Sequence, residues 1–128
     1  MTDSPAHPSG PVVVTGANGL VGSRVCLALA SRGLTVRAVV RRAGAAPSAP
    51  GVLEWVGDFH DPDVSAAVTD GAGAVVSTVH PMGSDLDTQR RIGVAGTRTL
   101  ARAARDAGVG RFVHVSTAAV YDRAPSAG

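Results

Sequence analysis

Residues 12–22 read Val-Val-Val-Thr-Gly-Ala-Asn-Gly-Leu-Val-Gly. The β-branched run at 12–14 has the character of a short strand buried on both faces. Gly16, Gly19 and Gly22 follow at every third residue, and apolar residues then recur at helical spacing. A strand that breaks at glycine and restarts as a helix is a βα unit. Such a unit cannot bury its own apolar surface, so the remaining residues must supply more of the same.

They do. The spacing predicts a helix over 21–31, with Val21, Val25, Ala28 and Leu29 on one face and Gly33 closing it. Residues 35–40 form a second strand, and 43–51, rich in Ala, Pro and Gly, a loop. A third strand covers 52–56. A helix over 62–69 opens with Asp61 as cap and Pro62 in its first turn. A fourth strand is expected at 74–79. A long helix follows over 85–107, with Ile92, Ala95, Thr99, Leu100 and Ala103 facing inward and Gly108 and Gly110 ending it. The fifth strand, 111–116, carries Phe112, Val113 and Val115.

Strands alternating with helices imply right-handed crossovers and an α/β fold, a Rossmann-type doubly wound parallel sheet. The expected strand order is 3-2-1-4-5, with a ligand crevice where the order reverses between strands 1 and 4. Residues 12–128 read as one domain behind a leader, 1–11, whose Pro, Ser, Gly and His content suits disorder. Five strands make most of a Rossmann sheet, so further strands and a substrate-binding part are expected to complete it. In their absence strand 5 is an edge, and self-association through it is expected.

Composition narrows the partners. The formal charge is +2, carried by arginine alone, because the 128 residues contain no lysine. The arginines scatter over several elements, and Trp55, Phe59, Phe112 and Tyr121 are the whole aromatic set. That is no basic-aromatic stripe, and nucleic acid is not expected as a partner. No apolar run approaches the about 18 residues of a membrane span, and the N-terminus lacks a secretory pattern. A cytoplasmic protein is expected. The single cysteine, Cys26, sits among apolar helical residues and reads as a core thiol rather than a reactive one.

The glycines carry the chemistry. A phosphate-binding turn needs a residue without Cβ at the sharp bend, another where pyrophosphate approaches, and a third where helix packs on strand. The helix N-terminus then offers free N–H groups and a positive dipole end. Gly16, Gly19 and Gly22 stand in that context, with Asn18, Leu20 and Val21 between and beside them. The reading is a dinucleotide site.

The residues 15–22, Thr-Gly-Ala-Asn-Gly-Leu-Val-Gly, resemble the opening of the extended or atypical short-chain dehydrogenase/reductases, the NAD-dependent epimerase/dehydratase family. Gly57-Asp58 after strand 3 is similar to the family's Gly-Asp pair, followed here by Phe59. Val94-Ala-Gly-Thr97, the run 100–117, and Ser116-Thr-Ala-Ala-Val-Tyr121 resemble the segments that precede its active site. The resemblance covers 12 to about 124.

The resemblance implies that Asp58 accepts a hydrogen bond from the adenine amine. It also implies that Thr78 and Val79, at the end of strand 4, line the cofactor. Thr117 matches the active-site Ser or Thr, whose hydroxyl would bind a substrate carbonyl or hydroxyl. Tyr121 is not the catalytic tyrosine by this match: the family's Tyr-x-x-x-Lys lies some way further along, and its lysine lowers the tyrosine pKa for proton transfer. Without lysine these 128 residues do not hold that pair, so no turnover is expected of them alone. Two departures stand out. Val79-His80-Pro81 replaces the usual small pair, with His80 either lining the nicotinamide pocket or serving as a polar loop residue. Gly93 replaces a frequent asparagine, as the looser atypical branch does.

Cofactor choice rests on the end of strand 2. NAD-preferring members place an acid there, for both ribose hydroxyls. Here stands Val40, followed by Arg41 and Arg42. Guanidinium groups suit a 2′-phosphate, so NADP is favoured over NAD; the alternative is that both arginines are solvated and NAD binds through the other contacts. No metal ligands are expected. Three functions fit: the NAD(P)-binding part of an epimerase, dehydratase or reductase acting on a sugar nucleotide or other small hydroxy/carbonyl compound; a standalone dinucleotide-binding sensor or regulator; or a structural subunit.

Overall fold

The structure is a computed structural model that describes residues 10–78 and 86–115, with the side chains of 86–94 left aside. The element order is β1 (Val12–Thr15), α1 (Leu20–Ser31), β2 (Val36–Val40), β3 (Val52–Val56), α2 (Pro62–Thr69), β4 (Ala74–Thr78), α3 (Leu86–Asp106) and β5 (Arg111–Val115). All strands are parallel, in the order β3-β2-β1-β4-β5. The expected α/β architecture and strand order are thus observed.

β1 is buried throughout and β2 at every position but Arg37, which is why both read as largely apolar, β-branched runs. Side chains alternate between two layers. On one face Val12, Val14, Val36, Ala38 and Val40 pack with Cys26, Val25 and Leu29 of α1. On the other, Val13, Val39 and Val75 pack with Val68 of α2 and with Leu100 and Ala104 of α3. Burial pushes the Cys26 thiol up to about 11, so it stays protonated at neutral pH, as a core thiol should.

α2 begins as expected: Asp61 Oδ1 accepts from the Asp63 N–H at 2.9 Å, with Pro62 in the first turn. Its C-terminus is closed by an arginine from another strand. Arg37 Nη1 donates to the carbonyls of Val68 and Asp70 at 2.7 and 2.6 Å, and its guanidinium lies 5.3 Å from the Trp55 ring centroid. A cation on the last carbonyls of a helix satisfies acceptors that the helix itself leaves open.

Two helix phases differ from the sequence-based expectation. Val21 and Ala28 are exposed, Val21 at 44%, while Gly22 and Cys26 face inward. In α3 Ala95 is exposed, and Gly96, Leu100 and Ala104 form the inward row; Thr99 and Ala103 are half-buried beside it, and Ile92 lies among the side chains not described. The reason is the same in both. A Cβ on Gly22 would strike the Gly16 carbonyl, and one on Gly96 would strike the rings of His60 and Phe59. The closest approach is reserved for the smallest residue, and that residue sets the rotation of the helix.

The edge strand β5 also alternates. Phe112 joins the layer under α2 and α3, while Val113, on the opposite face, is 44% exposed. Ser116, Val79, His80, Thr117, Tyr121 and the leader residues 1–9 lie outside the described residues. Among the described residues no helix is long and apolar enough to cross a membrane, and no cluster of His, Cys, Asp or Glu could hold a metal.

Candidate functional site

In a parallel sheet every strand ends on the same edge. Here that edge gathers Gly16 after β1, Arg41 after β2, Asp58 after β3 and Thr78 at the end of β4. The order reverses between β1 and β4, so their divergent connections open a crevice there.

The turn into α1 is held by backbone and by one buried hydroxyl. Thr78 Oγ1 donates to the Thr15 carbonyl at 2.6 Å. Gly16 turns at φ +67°, where a side chain is strained, and a Cβ there would press on Thr78 Oγ1 and its carbonyl. The Gly19 N–H donates to the Gly16 carbonyl at 3.0 Å, closing the turn. Gly19 is the N-cap of α1, makes no side-chain cap, and no acidic residue occupies the first turn. The first N–H groups of α1 and its positive dipole end are therefore open to an anion. Gly19 is buried, while Asn18, Leu20 and Val21 are exposed around it, Leu20 at 64%. This cradle fits a pyrophosphate: side chains are excluded where it would lie, and donors remain.

The other end of the crevice is built from side chains. Arg41 and Arg42 are exposed at the end of β2, and no carboxylate stands between Val36 and Arg42. The loop that follows them is pinned by Glu54 of β3, whose carboxylate accepts the Gly44 N–H at 2.9 and 3.0 Å and the Ala46 N–H at 3.1 Å. Those N–H groups hold the Glu54 carboxyl below its ordinary pKa.

Asp58 follows β3, with Gly57 N–H bonded to the Val40 carbonyl at 2.8 Å. Asp58 Oδ1 accepts from the His60 N–H at 2.9 Å and lies 2.7 Å from His60 Nδ1. Burial pushes the Asp58 carboxyl up, but the His60 N–H, the His60 ring and the charges of His60 and Arg41 outweigh it, and the carboxyl sits below its usual range. That Arg41 is felt at Asp58 brings the ends of β2 and β3 into one electrostatic neighbourhood. Phe59, expected beside the cofactor, is part-buried with its ring packed against the core layer under α2 and α3.

The structure thus brings Gly16, Asn18, Gly19, Leu20, Val21, Gly22, Arg41, Arg42, Asp58 and Thr78 to one edge of the sheet. Val79 and Thr117 fall outside the described residues. Sequence reasoning missed Glu54 and His60. A charged residue inside the third strand was a signal for the first; the second had none beyond its place two residues after Asp58.

A family profile described as NAD(P)H-binding matches residues 16–128. A 3 beta-hydroxysteroid dehydrogenase/Delta 5-->4-isomerase of Mycobacterium tuberculosis is 37% identical over 120 residues, 87% of this chain and 32% of that protein. A 4-hydroxy-2-methyl-3-oxo-4-farnesyl-3,4-dihydroquinoline-1-oxide ketoreductase of Stigmatella aurantiaca is 36% identical over 84% of this chain and 33% of its own length. The crystal structure of a short-chain dehydrogenase/reductase superfamily protein from Agrobacterium tumefaciens, with NAD bound, superposes with a TM-score of 0.69 at 36% identity, over 87% of this chain and 34% of that one. The chain spans about a third of the length of the relatives it matches. It belongs to the NAD(P)H-binding family of short-chain dehydrogenase/reductase proteins, and its cofactor class is a nicotinamide dinucleotide.

Proposed function

We propose that the chain binds NADP along the C-terminal edge of its sheet and serves a hydride-transfer enzyme. That enzyme would act on a secondary alcohol or ketone, a sugar nucleotide or another small hydroxy/carbonyl compound. The observation that carries the reading is the pairing of a side-chain-free turn at Gly16, Gly19 and Gly22 with two exposed arginines at the end of β2, where no carboxylate stands. The hydroxysteroid dehydrogenase and ketoreductase relatives support the alcohol/ketone class by their names.

In this reading the first turn of α1 holds the pyrophosphate, Arg41 and Arg42 hold the 2′-phosphate, and Asp58 accepts from the adenine amine. Thr78 keeps the turn in place from below. Thr117 would donate to, or accept from, the substrate oxygen. Bound nicotinamide supplies the hydride acceptor or donor. The proton transfer assigned to Tyr-x-x-x-Lys in the family has no such pair in these 128 residues, so the chain by itself is a binding unit. Location in the cytoplasm and self-association through β5 belong to the same proposal.

Calorimetric titration with NADPH and with NADH tests it. Tighter binding of NADPH is expected. Equal affinities, or tighter NADH, would remove the role given to Arg41 and Arg42. Absence of binding to both would remove the dinucleotide site itself.

A further inference from the structure

His60 is placed between Asp58 and the helix α3. On one side it meets Asp58: its N–H and its Nδ1 both address Oδ1, at 2.9 and 2.7 Å. On the other side its ring lies against α3 at Gly96, where an added Cβ would come within 2.5 Å of Nε2. The Phe59 ring stands 4.5 Å from it, centroid to centroid. The imidazole is largely enclosed and the carboxylate is half open, with side-chain exposures of 23% and 53%. An ionised carboxylate can only accept, so Nδ1 must carry the hydrogen in this contact. Both bonds end on Oδ1, which leaves Oδ2 its acceptor capacity.

We infer that His60 is a positioning residue for adenine recognition: its Nδ1–H fixes the Asp58 carboxylate so that the second oxygen meets the exocyclic amine of the cofactor. This rests on the proposed role of Asp58. A carboxylate on an exposed loop residue rotates freely, and ordering it at the moment of binding loses affinity. A second donor on Oδ1, braced against α3 through Gly96, removes that loss in advance. In this role His60 acts through Asp58.

The experiment uses the full chain and two probes, NADP and its deaminated analogue, nicotinamide hypoxanthine dinucleotide phosphate. The analogue presents a carbonyl where adenine presents its exocyclic amine, so that position cannot donate to Asp58. The wild type should bind NADP about tenfold more tightly than the analogue, as expected for one hydrogen bond to a charged group. His60→Phe keeps a ring against Gly96 and removes the donor; His60→Asn keeps a donor at the Nδ1 position and removes most of the ring. The inference requires the ratio to fall to about two- or threefold in His60→Phe and to survive in His60→Asn.

The reverse pattern would make His60 a packing residue and overturn the inference. So would loss in both variants, which would assign the whole ring rather than its donor, or retention in both, which would leave Asp58 ordered without it. No discrimination in the wild type would remove the Asp58 contact itself, a separate failure visible before any variant is made. If His60→Phe does not fold, His60→Gln, whose amide mimics Nε2 rather than Nδ1, must lose the ratio in its place; retention there overturns the inference equally.

Discussion

The two ends of the crevice are built on opposite plans. At the β1–α1 turn the backbone does the work. Gly16 and Gly22 press against each other and against Thr78, and a Cβ on either would collide with main chain. At the ends of β2 and β3 the edge presents side chains instead, Arg41, Arg42 and Asp58, which are exposed and stand on loops pinned by Glu54 and His60. The difference separates fold from specificity. The turn cannot change without disturbing the packing of α1 on the sheet. The arginines can change without touching the core, and in the proposed reading the choice between a phosphate and a hydroxyl on the ribose changes with them.

The comparison makes its strongest demand on Gly22. Gly22→Val should cost about 3 kcal/mol of stability, since the new atoms meet the Gly16 carbonyl rather than a movable side chain. It should also weaken NADP and NAD binding alike, by about a hundredfold. Chemical denaturation and calorimetry would show this; a stable, binding-competent variant would break the claim that the turn is fixed by packing. At the other end, replacing Arg41 and Arg42 together by alanine should leave stability unchanged. NADP affinity should fall about tenfold or more while NAD affinity holds, because charge-assisted bonds to phosphate are lost and nothing in the core is touched. An equal loss for both cofactors would erase the distinction between the two ends.

Thr78→Val sharpens the boundary between them. The substitution keeps the shape and removes the buried bond to the Thr15 carbonyl, so a loss of about 1–2 kcal/mol is expected by denaturation. Binding should weaken for both cofactors equally, since only the seat of the turn is affected. The smallest effect belongs to Asp58. Its folded pKa is depressed, so its contribution to stability is complete above the unfolded carboxylate value of about 3.9 and is lost as pH falls through the lower folded value. Half exposed, it is screened, and the gain amounts to less than about 1 kcal/mol. Unfolding of wild type and Asp58→Asn at pH 6 and pH 3 should therefore converge at the lower pH. A gap that widens on acidification would contradict the direction of the shift.

What could be read from the sequence follows the same division. Strands 12–15, 36–40 and 52–56 and the helix opened by Asp61 were legible within a residue, because buried β-branched runs and a Pro after a cap are local signals. The glycine turn was legible because its spacing is dictated by contacts among its own residues. The rotation of α1 and α3 was not. Apolar bulk at Val21 and Ala28 suggested an inward face, whereas closeness of approach turned Gly22 and Gly96 inward instead. The partners of Arg37, Glu54 and His60 were likewise invisible. Their surroundings are set by how the chain folds back on itself: Arg37 reaches α2 across 31 residues, Glu54 draws in the loop before its own strand, and the His60 ring comes to rest against α3 at Gly96. Such contacts are not written in the local spacing of residue types.

The most direct test of the account is to map dinucleotide binding by backbone amide shifts as the full chain is titrated with NADP. The account predicts perturbations grouped at 16–22, 41–42 and 57–60, all on the C-terminal edge of the sheet. It predicts no response along the outer groove between α2 and α3, at Ala66, Ala67, Ala103 and Ala107. Shifts centred on that groove, or an unmoved turn at Gly16, Gly19 and Gly22 under saturating NADP, would contradict it.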